Sequence, residues 1–179
     1  MKPRLIHCTG LLLAVACSGV PSASIVPEDL RLATTQPGGV RIEAEGSGRQ
    51  LGVGPRVITS ANLEQTLEDT LTLAGVFSEV LEEGEGEWLL KVEGSEIESS
   101  DWSLEMYGDA VLVWRLMRGE TGELVAQREI KTRGRARTED TRDVEQRGKI
   151  AMQKALRENL TEGARWLAGL ELTLEPRPR

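Results

Sequence analysis

The chain has 179 residues and is acidic, with 22 Lys and Arg residues against 29 Asp and Glu residues and a formal net charge of −7. Its length suits one domain with a tether, and its charge argues against nucleic acid as a partner. The single histidine and both cysteines, His7, Cys8 and Cys17, lie at the N-terminal end. The sequence after Cys17 therefore excludes Ser-His-Asp and Cys-His catalysis and the usual zinc, copper and haem sites. We expect no catalytic residue, metal or cofactor.

Residues 1–16 have the features of a secretory signal peptide. Lys2 and Arg4 precede an apolar run at residues 11–16, which is shorter than the ~20 residues needed to span a bilayer. Cys17, between Ala16 and Ser18, resembles the lipobox cysteine of bacterial lipoproteins. That resemblance implies removal of the preceding peptide, acylation of Cys17 with fatty acids such as palmitate, and delivery to the outer membrane. The alternative is an ordinary secretory signal in which the cysteine is incidental.

Three further segments follow the signal peptide. Residues 17–39 begin with the lipidated cysteine and continue as a Pro-rich flexible tether, which as a random coil would span about 25 Å. Residues 40–175 are predicted to form a single globular domain, and residues 176–179 a polar tail. The domain begins with a strand from Val40 to Glu45, where apolar and polar residues alternate. The glycine-rich stretch at residues 46–54 lacks the phosphate-loop patterns and is interpreted as a hairpin connection.

A helix is predicted next, capped by Ser60 or Asn62 and ended by Gly75. Its apolar stripe consists of Leu63, Leu67, Leu71 and Ala74. The acidic stretch at residues 82–87 is interpreted as a solvated loop, because it lacks the spacing of a calcium-binding loop.

Three strands follow, at residues 88–93, 110–117 and 124–131, and the last two form a hairpin around Gly119 and Gly122. Residues 111–114 are apolar on both faces of their strand, which predicts a central position in the sheet. Beyond the hairpin, Arg133, Arg135 and Arg137 alternate with small residues and point the same way in an extended chain. These arginines could contact phosphates of lipid headgroups or an acidic partner. The alternative is an edge strand kept soluble by charge. Part of the positive charge would be neutralised by nearby acids, namely Glu139, Asp140, Asp143 and Glu145.

The last predicted element is a helix that begins near Thr138 or Thr141 and ends near Gly169. One face carries the stripe Met152, Leu156, Leu160, Gly163, Leu167 and Leu170, which is typical of a core-facing helix. Asn159 to Thr161 match a glycosylation acceptor, but their position inside a helix argues against modification. The predicted fold class is α+β, with an antiparallel sheet of about four strands and two helices packed on one face.

The chain resembles small envelope lipoproteins of Gram-negative bacteria. These include auxiliary lipoproteins of ABC-type lipid transport and lipopolysaccharide-assembly lipoproteins. The resemblance is carried by the lipobox-like residues around Cys17, the helix end at residues 73–80, the strand at 88–92, the hairpin and the final helix. The resemblance implies a non-enzymatic accessory protein on the periplasmic face of the outer membrane, anchored through Cys17. It would bind an envelope protein partner and, through Arg133, Arg135 and Arg137, lipid or lipopolysaccharide.

Two alternatives stay open at this point. One is a pilot or activator lipoprotein for a secretion system or a cell-wall synthase. The other is a cell-wall glycosidase that uses a carboxylate pair among Glu96, Glu98 and Asp101, near Trp102.

Overall fold

The computed structural model describes residues 25–46, 58–81, 84–100 and 105–174. These residues form five strands and two helices: β1 (Gln36–Glu45), α1 (Ser60–Ala74), β2 (Phe77–Leu81), β3 (Trp88–Ser100), β4 (Glu105–Arg118), β5 (Leu124–Arg137) and α2 (Val144–Ala168). Cys17 and the glycine-rich stretch at residues 47–54 lie outside the described residues. Within the described residues, neither helix is long and apolar enough to cross a membrane.

The strands form one mixed sheet in the order β2-β1-β3-β4-β5. β1 is parallel to both β2 and β3, whereas β3, β4 and β5 form an antiparallel meander. The α+β class is thus confirmed, but the sheet is neither four-stranded nor wholly antiparallel. The difference arises because α1 connects β1 to β2 as a crossover, and a crossover returns the chain in the same direction. β2 has only five residues, too few for a clear alternating pattern.

The chain returning from β2 to β3 packs against β1 at a glycine. β2 and β3 flank β1 near Val40 and Arg41, and the Gly39 N–H donates to Glu87 Oε2 at 2.8 Å. A Cβ atom on Gly86 would lie only 2.8 Å from the Gly39 carbonyl oxygen, so glycine at position 86 permits this close approach. Part of the acidic stretch expected to be a solvated loop therefore packs against the sheet.

Both helices cover the same face of the sheet and share one apolar core with it. α1 carries its predicted stripe into this core and ends, as predicted, at Gly75, which has φ 66°. The N-cap is Thr59 rather than Ser60 or Asn62, because the Thr59 hydroxyl accepts the Asn62 N–H at 3.2 Å. The capping residue is thus one position before Ser60 and three before Asn62.

Residues 25–39, which the sequence analysis included in the tether, pack against the domain. Ile25 and Leu30 are buried in the core, and the Leu32 N–H donates to the Ala74 carbonyl at 3.1 Å. β1 begins at Gln36, four residues before Val40. The sequence predicts a tether here because proline and small residues dominate the segment and its few apolar residues show no regular spacing.

α2 begins after Asp143, whose carboxylate accepts the Gln146 N–H at 3.0 Å, a few residues later than expected. Its predicted apolar stripe is confirmed as core from Met152 to Leu167, and Leu170 packs at the margin. Two glycines bring the N-terminal half of α2 against the meander. Gly108 and Gly134 are opposite each other in β4 and β5, and Cβ atoms there would lie 2.6 Å and 1.9 Å from the α2 backbone.

A buried amide fixes the second half of α2 against the same strands. Asn159, which is fully buried, accepts the Trp114 Nε1–H at 3.1 Å through Oδ1. Its Nδ2 donates to the carbonyls of Ala110 and Ile130 at 3.3 and 2.8 Å. Since buried polar groups need partners, this amide holds α2 in register with β4 and β5. Its burial also agrees with the interpretation that Asn159 is not a glycosylation site.

Candidate functional site: the arginine cluster on the open face

The face of the sheet opposite the helices is covered by ion pairs. On β1 and β3, Glu43 pairs with Arg41 and, at 2.8 Å, with Lys91. These cations lower the pKa of Glu43, and the hydrogen bond from Lys91 is the largest cause. On β4, Arg115 lies 2.6 Å from Glu93 of β3. Opposite charges therefore alternate across this open face, and their side chains can be hydrated without a covering layer of protein.

The three arginines singled out in the sequence lie on this open face, at the far end of β5. Arg133 is opposite Asp109 of β4 and donates two hydrogen bonds to its carboxylate, at 2.6 and 3.1 Å. Arg135 pairs with Glu105, and Arg137 Nε lies 3.7 Å from Glu105 Oε1. All three guanidinium groups thus face carboxylates of the neighbouring strand.

Tyr107 of β4 lies between the first two arginines. Its ring centroid is 5.7 Å from Cζ of Arg133 and 5.9 Å from Cζ of Arg135, within the range of cation–π attraction. Its hydroxyl donates to Glu105 Oε2 at 3.0 Å. We call Arg133, Arg135, Arg137, Asp109, Glu105 and Tyr107 the arginine cluster.

The ion pairs of the arginine cluster stabilise the charged forms of Glu105, Arg133 and Arg135. Hydrogen bonds from Arg135 and then Tyr107 lower the pKa of Glu105. Asp109 raises the pKa of Arg133, and Glu105 raises that of Arg135. With three cations against two carboxylates, the cluster retains an excess of one positive charge. An anionic partner must compete with Asp109 and Glu105 for the guanidinium groups, so its binding here would be weak and salt-sensitive.

Asp140, one of the acids expected to neutralise the arginines, makes its main contacts with a backbone N–H and a lysine. Asp140 accepts the Arg137 N–H at 2.7 Å and binds Lys154 Nζ at 3.2 Å. These hydrogen bonds lower its pKa, and that from the Arg137 backbone is the larger cause. Asp140 therefore stabilises the turn between β5 and α2, and the carboxylates that balance the arginines come from β4. The sequence signal for this was the alternation of Glu105, Tyr107 and Asp109, which is interpretable only once the β4–β5 register is known.

The position of β5 agrees with the structural alternative for the arginines. β5 is at the edge of the sheet and pairs only with β4 among the described strands, and charged side chains are a common protection of such edges. The carboxylate pair considered for a glycosidase lies outside the described part of the chain. Asp101 is not among the described residues, and the side chains of Glu96 and Glu98 are not described. Among the residues that are, no group of three His, Cys, Asp or Glu side chains is placed to hold a metal ion.

These features define a small α+β domain with both helices on one face of a mixed sheet and a charged open face. No family model matches the chain, and no curated protein matches it. Solved structures do. Protein XCC0632 from Xanthomonas campestris, described as DUF330, matches with a TM-score of 0.57 and 16% identity, over 79% of this chain and 89% of its own. Hypothetical protein CT253 from Chlamydia trachomatis matches with a TM-score of 0.55 and 10% identity, over 75% and 97%.

A PelC dodecamer from Paraburkholderia phytofirmans also matches, with a TM-score of 0.51 and 10% identity, over 78% of this chain and 93% of its own. Bacterial proteins described as lipoproteins match too, but with TM-scores below 0.5, which is too low to infer a shared fold. At these identities the comparisons establish the fold alone.

Proposed function

We propose that this protein is an accessory lipoprotein of a bacterial envelope, anchored through acylated Cys17 to the periplasmic face of the outer membrane. Its domain binds or stabilises a larger envelope complex, such as one for lipid or lipopolysaccharide transport or assembly. The observation that carries the proposal is the sequence around Cys17, a short apolar run ending at Ala16 and followed by a single small domain. Acyl chains contribute about 0.8 kcal/mol per buried methylene, so two or more give a stable anchor.

Mass spectrometry of the N-terminus of protein isolated from bacterial envelopes tests the anchor. We expect the mature chain to begin at Cys17 and to carry acyl chains, and we expect it to sediment with membranes. Cys17→Ser is the matched control, because it removes the thiol and leaves the signal peptide unchanged; this variant should leave the membrane fraction. An unmodified Cys17, or cleavage at another position, would contradict the proposal.

We further propose that the arginine cluster is the part of the domain that meets its partner. Arg133 is two-thirds exposed, and its planar group is suited to carboxylates and phosphates. Crosslinking in intact envelopes should capture a specific protein, and Arg133→Ser with Arg135→Ser should reduce the yield. Lys131→Ser is the control, since Lys131 lies on the same strand and face and pairs with Glu129. Equal capture by the wild type and the arginine variant would count against this role.

The pilot or activator role for a secretion system or cell-wall synthase is distinguished by which protein is captured. The glycosidase alternative predicts new reducing ends when the protein is incubated with peptidoglycan. Release that persists in a Glu96→Gln, Glu98→Gln and Asp101→Asn variant would point to a contaminating enzyme.

A further inference from the structure

A second group of arginines lies at the other end of β5, on the helix side of the sheet. Arg128 is opposite Trp114 of β4, and it borders a cleft with residues of the last turns of α2. The cleft has a volume of about 480 Å³ and is lined by Arg128, Glu162, Arg165, Trp166, Gly169 and Leu170. Because β5 and α2 run antiparallel, this cleft and the arginine cluster lie at opposite ends of the strand.

The two arginines of the cleft differ from those of the arginine cluster in having no partner among the described residues. In the part of the chain that the structure describes, neither Arg128 nor Arg165 makes a side-chain hydrogen bond or ion pair. Arg133 and Arg135, by contrast, are bound to Asp109 and Glu105. The guanidinium groups that an external anion can bind without displacing a carboxylate are therefore those of the cleft.

Arg165 is not needed to cap α2. A cation in the last turn of a helix is often explained by the free carbonyls there. In this protein the buried Gln36 Nε2 donates to the carbonyls of Leu167, Ala168 and Leu170, at 3.0, 3.1 and 2.6 Å. The helix end is thus satisfied from the core side, while the Arg165 side chain is exposed.

The other side of the cleft is apolar. Trp166 and Leu170 are half-buried and pack against the core, so each presents part of its side chain to the cleft. Trp88 and Trp114 are almost completely buried and cannot serve in this way. An indole and a leucine beside two unpaired guanidinium groups match a ligand with an apolar body and an anionic head.

We infer that this cleft binds an amphiphilic anion, in which a phosphate or carboxylate is joined to an apolar group. Arg128 and Arg165 hold the anionic head through charge-assisted hydrogen bonds, and Trp166 and Leu170 cover the apolar part. Glu162, the one carboxylate among the described residues that line the cleft, reduces the charge of the cleft to an excess of one and opposes binding. The site requires no anchor at Cys17 and goes beyond the proposed function.

The test measures Trp fluorescence of the full chain carrying Cys17→Ser, titrated with dihexanoylphosphatidic acid as a monomer. Saturable binding should weaken about tenfold or more when Arg128 and Arg165 are both replaced by Ser, since each hydrogen bond to a charged group is worth about a factor of ten. Glu162→Gln should tighten binding, because it removes the opposing charge. Lys131→Ser with Arg142→Ser is the matched control, because it removes two exposed cations that lie outside the cleft, and it should leave binding unchanged.

Two further arms identify the source of the anion. Binding to monomer would indicate a soluble amphiphile; binding only to vesicles of phosphatidylcholine with phosphatidic acid, again lost in the Arg128 and Arg165 variant, would indicate headgroups at a membrane surface. Inorganic phosphate alone should bind more weakly than the monomer, since it leaves Trp166 uncovered. No saturable binding in either arm would overturn the inference, as would equal losses in the Arg128 and Arg165 variant and in its matched control. Because the anchor is absent throughout, failure here leaves the proposal for Cys17 intact.

Discussion

Replacing the buried amide of Asn159 by Leu should destabilise the domain without changing its fold. Leu has the same branching and the same number of heavy atoms, so the change removes three hydrogen bonds and leaves no cavity. Trp114 Nε1–H loses its partner, and an unpaired buried donor costs about 1–3 kcal/mol. The Ile130 carbonyl loses a bond of 2.8 Å, worth about 1 kcal/mol. The Ala110 carbonyl loses a longer bond of 3.3 Å, and Thr132 Oγ1 at 3.4 Å does not replace it, because its single hydrogen is donated to the Ala155 carbonyl at 2.7 Å. We expect a net loss of roughly 2–3 kcal/mol after the gain from burying the Leu side chain.

Urea unfolding followed by far-UV circular dichroism measures this loss, and a double-mutant cycle identifies its cause. In a Trp114→Phe background no indole N–H is left unpaired. The loss of unfolding free energy caused by Asn159→Leu should therefore be smaller there than in the wild type, by about 1 kcal/mol or more. Glu158→Leu, at the exposed neighbouring position, should stay within about 0.5 kcal/mol of wild type. A neutral Asn159→Leu variant, or additive losses in the cycle, would refute the role assigned to this amide.

Three other predictions concern the packing of α2, its C-terminal cap and the arginine cluster. Gly134→Ala should lower the free energy of unfolding by about 1–3 kcal/mol, measured in urea, because a Cβ atom there would lie 1.9 Å from the Ala151 carbonyl oxygen; an unchanged value would show that α2 can move aside freely. Gln36→Leu removes all three bonds to the end of α2 and should cost about 1–3 kcal/mol. It should also accelerate amide hydrogen exchange in the last turn, and unaltered exchange there would contradict the cap. Glu105 has a pKa below its ordinary value of 4.5, so it contributes stability that is present above pH 4.5 and is lost as the pH falls through the lower folded-state value. Glu105→Gln should therefore flatten the fall in unfolding free energy below pH 4.5, and an unchanged pH profile would exclude this contribution.

Matched controls are available for two of these changes. Gly169→Ala introduces a Cβ atom whose nearest neighbours are 3.5 Å away, so it should be tolerated where Gly134→Ala is not. Glu158→Gln removes an exposed carboxylate of α2 outside the arginine cluster and should leave the acid limb of the pH profile unchanged.

The helices and the hairpin could be predicted because their signals are local. The α1 stripe and its stop at Gly75, like the α2 stripe from Met152 to Leu167, repeat with the period of a helix. The parallel pairing of β1 could not be predicted, since strand partners are far apart in the sequence and β2 has too few residues to show alternation. Gly108 and Gly134 gave no signal either, because their role depends on a register that places them opposite each other beneath α2.

The position of the arginine cluster could be predicted from the sequence, but the pairing of its arginines with carboxylates could not. Alternation placed Arg133, Arg135 and Arg137 on one side of a strand, and the structure has them there. Their partners Glu105 and Asp109 are about 25 to 30 residues earlier in the chain, so the sequence could not show that these arginines are already paired. Conversely, Arg128 and Arg165 did not stand out, because nothing local reveals that they border one cleft.

The location of β1 has a mechanical consequence. The N-terminal residues enter the domain through Ile25 and Leu30 and continue into β1, which is hydrogen-bonded to β2 on one side and β3 on the other. A pull from the N-terminus along β1 would load both ladders in shear, so that many hydrogen bonds share the force. A pull that separated β5 sideways from β4 would instead break its bonds one after another. The domain should thus resist traction best in the direction from which an N-terminal anchor would apply it.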